Sequence, residues 1–288
     1  MGNIDRPDET ALPPWQPLTF GGVARFAQTT LTRLWAMEFV MAALAAAIIV
    51  WFLASAWIPA IRQTVKQLPA QSGIREGKLQ WPGTAPVRLA EGKFLSILVN
   101  PGPSMEMGQT ADLQWEFQGE ELRLRSLFGY VSVPYTTGWI IALNRSEFEP
   151  WWGAWEPAIL AGAGVLVVCS LLFGWSVLAA AYLWPVLAVA WLADRHVNLA
   201  TAWKLGSAAL MPGAALMSGA ILLYGLGRLP LVGLLFAGLL HIAAGWAYLL
   251  ISPLRLPRLS ASISLSQNPF QATEADAKAE SQNPKEEA

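Results

Sequence analysis

The sequence predicts a polytopic α-helical membrane protein of four spans, or alternatively five, with a small, mostly β extramembrane domain inserted after the first span. Three observations predict it. Residues 156–252 are almost continuously apolar, and beyond Glu156 their charges are confined to Asp194, Arg195, Lys204 and Arg228. A water-soluble helix keeps a polar face, and this stretch has none. Charged residues make up 14% of the 288-residue chain and mean hydropathy is +0.40, whereas ordinary globular chains are about 25% charged. Between residues 60 and 150, by contrast, charges return and apolar side chains recur at every second position, the period of a half-buried strand.

Taken in order, residues 1–18 carry Pro7, Pro13, Pro14 and Pro17 among several charges and read as a disordered lead-in. Over residues 19–33, Phe20, Val23, Phe26 and Leu31 alternate with Arg25, Gln28 and Arg33, which suits a short helix lying at the membrane surface. The first span follows over residues 34–58 and closes at Pro59. At about 1.5 Å per residue it covers a hydrocarbon core of about 30 Å. Its end, Ala54-Ser55-Ala56, resembles a signal-peptidase site, but the apolar run is too long and begins too late for a usual signal peptide, so the span is read as an uncleaved anchor.

Residues 60–150 are read as a compact β domain. Leu113, Trp115 and Phe117 alternate with polar residues, as do Leu122 and Leu124, and Gln118-Gly119-Glu120 makes the turn between them. Residues 77–81, 87–90, 94–99 and 130–133 are further strands, and Asn100-Pro101-Gly102-Pro103 is a turn. The membrane block, 156–252, begins behind Trp151 and Trp152. Residues 157–193 form either one long helix partly outside the bilayer or two spans turning at Phe173-Gly174-Trp175-Ser176. Spans over residues 202–224, with a kink at Pro212, and 229–251 complete it. Residues 253–288 turn polar and read as a disordered tail.

Basic residues in short loops mark the cytoplasmic side of a membrane. Arg25 and Arg33, Arg195 and Lys204, and Arg255 and Arg258 agree on one side if residues 157–193 cross once. The β domain is then extracytoplasmic. Five crossings would put the β domain in the cytoplasm and leave Arg25 and Arg33 on the wrong side. Many of the fifteen tryptophans flank the apolar runs, as expected for side chains at headgroup level.

Composition excludes several functions. A net charge of −1 argues against nucleic acid as a partner. A single cysteine, Cys169, precludes an intrachain disulfide and any multi-cysteine metal site. The two histidines lie 45 positions apart and match no zinc-hydrolase pattern. No histidine in the β domain is there to activate Ser104. Gly162, Gly164, Gly225 and Gly227 lie in or beside apolar spans, so they read as helix-packing contacts, as do Ala215 and Gly219. No cofactor motif is found.

The candidate functional residues are few. His241 falls near the middle of the last span, where an ionisable group is costly and often marks a proton or ligand pathway. The competing reading is a neutral imidazole bonded to a neighbouring helix, with Ser218 or Tyr224 as partner. Glu38, at the start of the first span, reads as an interfacial, solvated carboxylate that meets His241 only if it reaches deeper than its position implies. Asp194, Arg195 and His196 sit where a span ends and form an interfacial triplet, able to meet a lipid headgroup or to be simply a wetted helix end.

The order of parts resembles the bacterial integral-membrane family of unknown function called DUF1189, which includes the maltodextrin-utilisation-associated MalA-like proteins. The residues that carry the resemblance are Phe94-Leu95-Ser96-Ile97-Leu98-Val99-Asn100-Pro101-Gly102, the strand at 122–125, and the return into the membrane over residues 199–212, with a proline in the helix. Asn100 stands where that family's insert is expected to carry an acid. The resemblance implies no established activity and no catalytic residue.

The sequence therefore predicts a multi-pass protein of the bacterial inner membrane with no enzymatic function. It would be an accessory or scaffold protein whose extracytoplasmic β domain binds an envelope protein or ligand, with the lipid bilayer and a membrane or envelope protein as partners. The alternatives are a transporter or channel component with His241 on the pathway, and a lipid-modifying membrane enzyme.

Overall fold

A computed structural model describes residues 16–102 and 108–257. The two disordered segments expected at the ends of the chain lie almost wholly outside these residues. Among the described residues, four stretches are long and apolar enough to cross a membrane: Leu31–Gln67, Arg145–Ala181, Leu199–Gly225 and Leu231–Arg255. They surround one another as a bundle, and two small sheets sit at one end of it.

Helix α1 (Phe20–Phe26) is capped by Thr19, whose Oγ1 accepts from the Gly22 amide at 3.0 Å. A side chain at Gly22 would collide with the Gln16 carbonyl, 1.8 Å from an added Cβ, so the entry requires glycine. α1 packs Val23 and Phe26 against the end of the bundle away from the sheets. Helix α2 (Leu31–Phe52) starts three residues before the expected span and does not stop at Pro59. It widens into one π-helical turn, Leu53–Trp57, and continues as α3 (Ile58–Gln67). Pro59 has no N–H to return to the preceding turn, and the wide turn lies immediately before it, so the chain stays helical for 37 residues. The Ala54-Ser55-Ala56 stretch is thus inside a continuous helix, where Ser55 Oγ donates to the Trp51 carbonyl at 2.8 Å.

After α3 come β1 (Gly73–Arg75), β2 (Lys78–Gln80), β3 (Val87–Glu91), β4 (Leu95–Asn100), β5 (Leu113–Gln118), β6 (Glu121–Ser126), β7 (Gly129–Pro134) and β8 (Ile140–Ala142). They form a three-stranded sheet, order β2-β1-β8, and a five-stranded sheet, order β3-β4-β5-β6-β7. All neighbours are antiparallel except β4 and β5, which run parallel. The strands expected from alternation are present; β1 and β8, three residues each, were not expected.

Helix α4 (Arg145–Ala181) is a single helix of 37 residues. It starts inside what was assigned to the β domain, at an Asn144 cap whose Oδ1 accepts from the Glu147 amide at 2.9 Å. It does not turn at Gly174. The break comes at Tyr182, ahead of α5 (Leu183–Leu192), where Pro185 has no N–H for the Ala181 carbonyl. At ten residues, α5 is about 15 Å long and too short to cross. It holds Val186 and Ala190 against the bundle and leaves Trp184 and Trp191 exposed.

Helix α6 (Leu199–Gly225) runs unbroken through Pro212 and is the centre of the bundle, packing on α2, α4, α5 and on α7 (Leu231–Ile251). Its Gly206, Ser207, Ala208, Ala209, Gly213 and Ala214 are all buried. Small residues let helix backbones approach closely, and between apolar helices that approach replaces the hydrophobic drive. Of the glycines read as packing contacts, Gly164 meets Val50 and Gly225 meets Trp51 and Phe52, while Gly162 and Gly219 face open space.

Candidate functional site

The β domain is clamped to the bundle rather than tethered to it. α3 lies under the apolar face of the five-stranded sheet, where Ala60 and Ile61 meet Ala90, Leu95, Ile97 and Trp115. Trp57 stands edge-on to Trp115 at 6.3 Å. A second contact joins the start of the sheet to the α6 end: Tyr224 donates to Asp112 Oδ2 at 2.7 Å, and its ring packs with Phe52 and Phe94. A third ties α3 to α4, where Glu156 accepts from Arg62, Nε to Oε2 at 2.8 Å, and from Trp152 Nε1 at 3.0 Å.

The register assigns each face of the sheet. Ile97, Trp115, Leu124 and Val131 are directly opposite in successive strands, as are Val99, Phe117, Leu122 and Val133, so these eight side chains share the apolar face. α3 covers this face over β3, β4 and β5, and Phe148 of α4 packs beside it against a cluster of Leu68, Leu89 and Val99. A mostly apolar cavity of about 80 Å³ remains between α3 and the sheet, lined by Thr64, Trp81, Trp115, Phe117 and Phe148 among others. Among the described residues no helix covers the continuation of this face over β6 and β7, where Leu122 and Leu124 are half-buried and Val131 and Val133 are 64% and 37% exposed.

The opposite face is polar and carries the most ordered charge in the domain. Glu116, fully buried, accepts from Asn100 Nδ2 and Gln118 Nε2, both at 3.0 Å, and from Arg125 Nε at 2.8 Å. Burial pushes its carboxyl up, but these hydrogen bonds and the guanidinium charge outweigh that and hold it below the ordinary range. Glu121, bonded by Arg123 at 2.7 Å and Ser132 at 3.0 Å, is also held low. Beside them Gln114 is buried, and among the described residues neither of its amide atoms has a partner.

The residues singled out from sequence are not brought together. Glu38 is not a solvated interfacial group: it is 0% exposed, its Oε1 accepts from Ser207 Oγ of α6, and its buried Oε2 has no partner among the described residues. Its partner Ser207 lies in a run of small buried residues of α6, Gly206 to Ala209, which lets the two helices approach around the carboxyl. His241 is half-buried on α7 and bonds neither Ser218 nor Tyr224; the Tyr224 hydroxyl is taken by Asp112. It borders a lateral crevice of about 260 Å³ between α4 and α7, floored by α6 and lined by Ser170, Gly174, Trp175, Tyr182 and Gly213. Gly213 makes room for it: an added Cβ there would stand 2.9 Å from the His241 carbonyl and 3.0 Å from its ring. Arg195 donates to the Leu256 carbonyl and so ties the end of α5 to the chain leaving α7. Asp194 adopts a left-handed backbone, φ 53°, and His196 is exposed. The triplet is a helix end, that of α5.

Among the described residues no group of three His, Cys, Asp or Glu could hold a metal ion. Sequence reasoning missed Ser207, the Tyr224–Asp112 contact and the Arg62–Glu156 pair, whose partners are separated by 94 to 169 positions. No protein-family model, curated protein or solved structure matches the chain.

Proposed function

We propose that the protein is a non-enzymatic accessory or scaffold of the bacterial inner membrane, crossing it four times and presenting its β domain on the extracytoplasmic side to an envelope or membrane protein. The observation that carries this reading is the open edge of the apolar sheet face, where the exposed Val131 and Val133 of β7 continue the half-buried Leu122 and Leu124 of β6 beside the half that α3 covers. Contiguous exposed apolar surface is a mark of an interaction site. Orientation is supported by the basic residues Arg25, Arg195, Lys204 and Arg255. These meet at the end of the bundle opposite the sheets, where Lys204 Nζ donates to the Thr29 carbonyl at 2.8 Å. Membership of the DUF1189 family is part of the proposal and adds no activity to it.

The test is photocrosslinking from Val131 and Val133 in intact cells, with Tyr130 on the opposite face as control. A protein crosslinked from the first two positions and not from the third is the expected result. Equal or absent crosslinking at all three rejects the docking face. A second reading, a transporter component with His241 on the pathway, is favoured by the crevice beside that residue. It requires that His241→Ala abolish a solute flux while leaving the protein folded.

A further inference from the structure

The turn between β6 and β7 has a composition at odds with its position. Ser126 pairs with Gly129, so only Leu127 and Phe128 make the turn. Two-residue hairpin turns ordinarily carry Asn, Asp or Gly, which suit the backbone and are soluble. Here Leu127 is 55% and Phe128 79% exposed. The turn is also held rigidly, by the strand pair on both sides and by the Phe128 amide donating to Ser126 Oγ at 3.3 Å.

Register fixes where this turn points. Ser126 lies opposite Leu113, the first residue of β5, and Leu113 lies beside Leu95, the first residue of β4. The beginnings of β4 and β5 are the end of the sheet that meets the bundle, through Phe94 and Asp112 on Tyr224. The turn therefore faces the bundle. It does not rest on the helices, however: Leu127 borders an open crevice of about 570 Å³ whose other wall is Pro230, Leu231 and Val232, the first turn of α7. Val232 is 49% exposed and continues into Leu235, Phe236, Leu239 and Leu240, the outward apolar face of α7. Lys93 and Arg228 are exposed at the same end.

We infer that the Leu127–Phe128 turn is a membrane anchor, dipping into the leaflet on the sheet side at the boundary of headgroups and acyl chains. The lipid surface is the occupant the geometry fits. An apolar turn stands beside the first turn of a helix whose outward face is itself apolar, and two cations flank it at the depth where anionic headgroups lie. The β domain is then held by four points: α3, α4, the Tyr224 contact and the lipid itself. The inference rests on the reading that α7 spans the bilayer, and the experiment separates the two.

Single cysteines at Phe128, Leu239 and Glu120 are introduced one at a time into the full chain carrying Cys169→Ala, labelled with an environment-sensitive fluorophore and reconstituted in phosphatidylglycerol-phosphatidylcholine vesicles. Quenching is read from lipids spin-labelled high on the acyl chain and, separately, near its end. Phe128 is expected to show a blue-shifted emission quenched several-fold more by the shallow label than by the deep one. Leu239 should be quenched best by the deep label, and Glu120, at the distal end of the sheet, by neither. Phe128 behaving like Glu120 while Leu239 is quenched overturns the anchor and leaves the spanning reading intact. Leu239 unquenched overturns both.

Discussion

Strands β4 and β7 belong to one five-stranded sheet and differ in almost everything that burial can change. Every residue of β4 is buried, and no residue of β7 is. β4 is flanked by two strands, with α3 on its apolar face. β7 is an edge with one neighbour and open apolar side chains. The difference shows that the bundle organises only half of the domain. What α3 reaches is core; what it does not reach keeps a core-like sequence, Tyr130-Val131-Ser132-Val133, without a core around it. An exposed apolar edge is a hazard that native proteins normally cover or charge, and that is why β7 is the strand assigned to a partner.

The comparison can be broken most forcefully in β4. Leu98→Ala removes a fully buried side chain and is expected to cost about 2–5 kcal/mol, measured as a lower midpoint for loss of β signal in detergent. A neutral result would mean that β4 is not the centre of the domain. Next in size is Arg125→Met, which strips the buried Glu116 carboxylate of its charged donor and should cost about 1–3 kcal/mol. The same carboxylate gives a pH dependence. Its folded value lies below its unfolded one, so its contribution is complete above the ordinary carboxylate range and is lost as pH falls through the lower, folded value. Glu116→Gln should flatten thermal stability between about pH 5 and pH 3, and an unchanged acid limb would assign that limb to other groups. The smallest effect belongs to β7. Val131→Lys should shift stability by no more than about 0.5 kcal/mol and yet abolish crosslinking from Val133. A large loss of stability instead would show that β7 is already covered within the chain.

Much of this architecture was legible in the sequence, because apolar period and length are local properties. The four apolar stretches and the strands at 113–117 and 122–125 could be read directly. Helix ends could not. Pro59 was read as a stop, but the π turn at Leu53–Trp57 absorbs it, and the Asn144 cap sits twelve residues before the apolar run it serves. β1 and β8 escaped although β2, equally short, did not: Gly73–Arg75 and Ile140–Ala142 show no alternation of apolar and polar residues. Glu38 was misread for a different reason: its burial depends on Ser207 and the small residues of α6, more than 160 positions away. Which half of the sheet face stays bare was equally hidden, since the alternation of β5, β6 and β7 is the same whether or not a helix lies beneath it.

The unbroken helix from Leu31 to Gln67 has a mechanical consequence. Its last ten residues, about 15 Å of rod, are the floor of the sheet, and its first 22 are packed against α4 and α6. No flexible joint separates them, so rotation or tilt of the lower part is delivered to the sheet as torque rather than dissipated in a linker. The wide turn at Leu53–Trp57 is where that rod leaves the regular α-helical repeat.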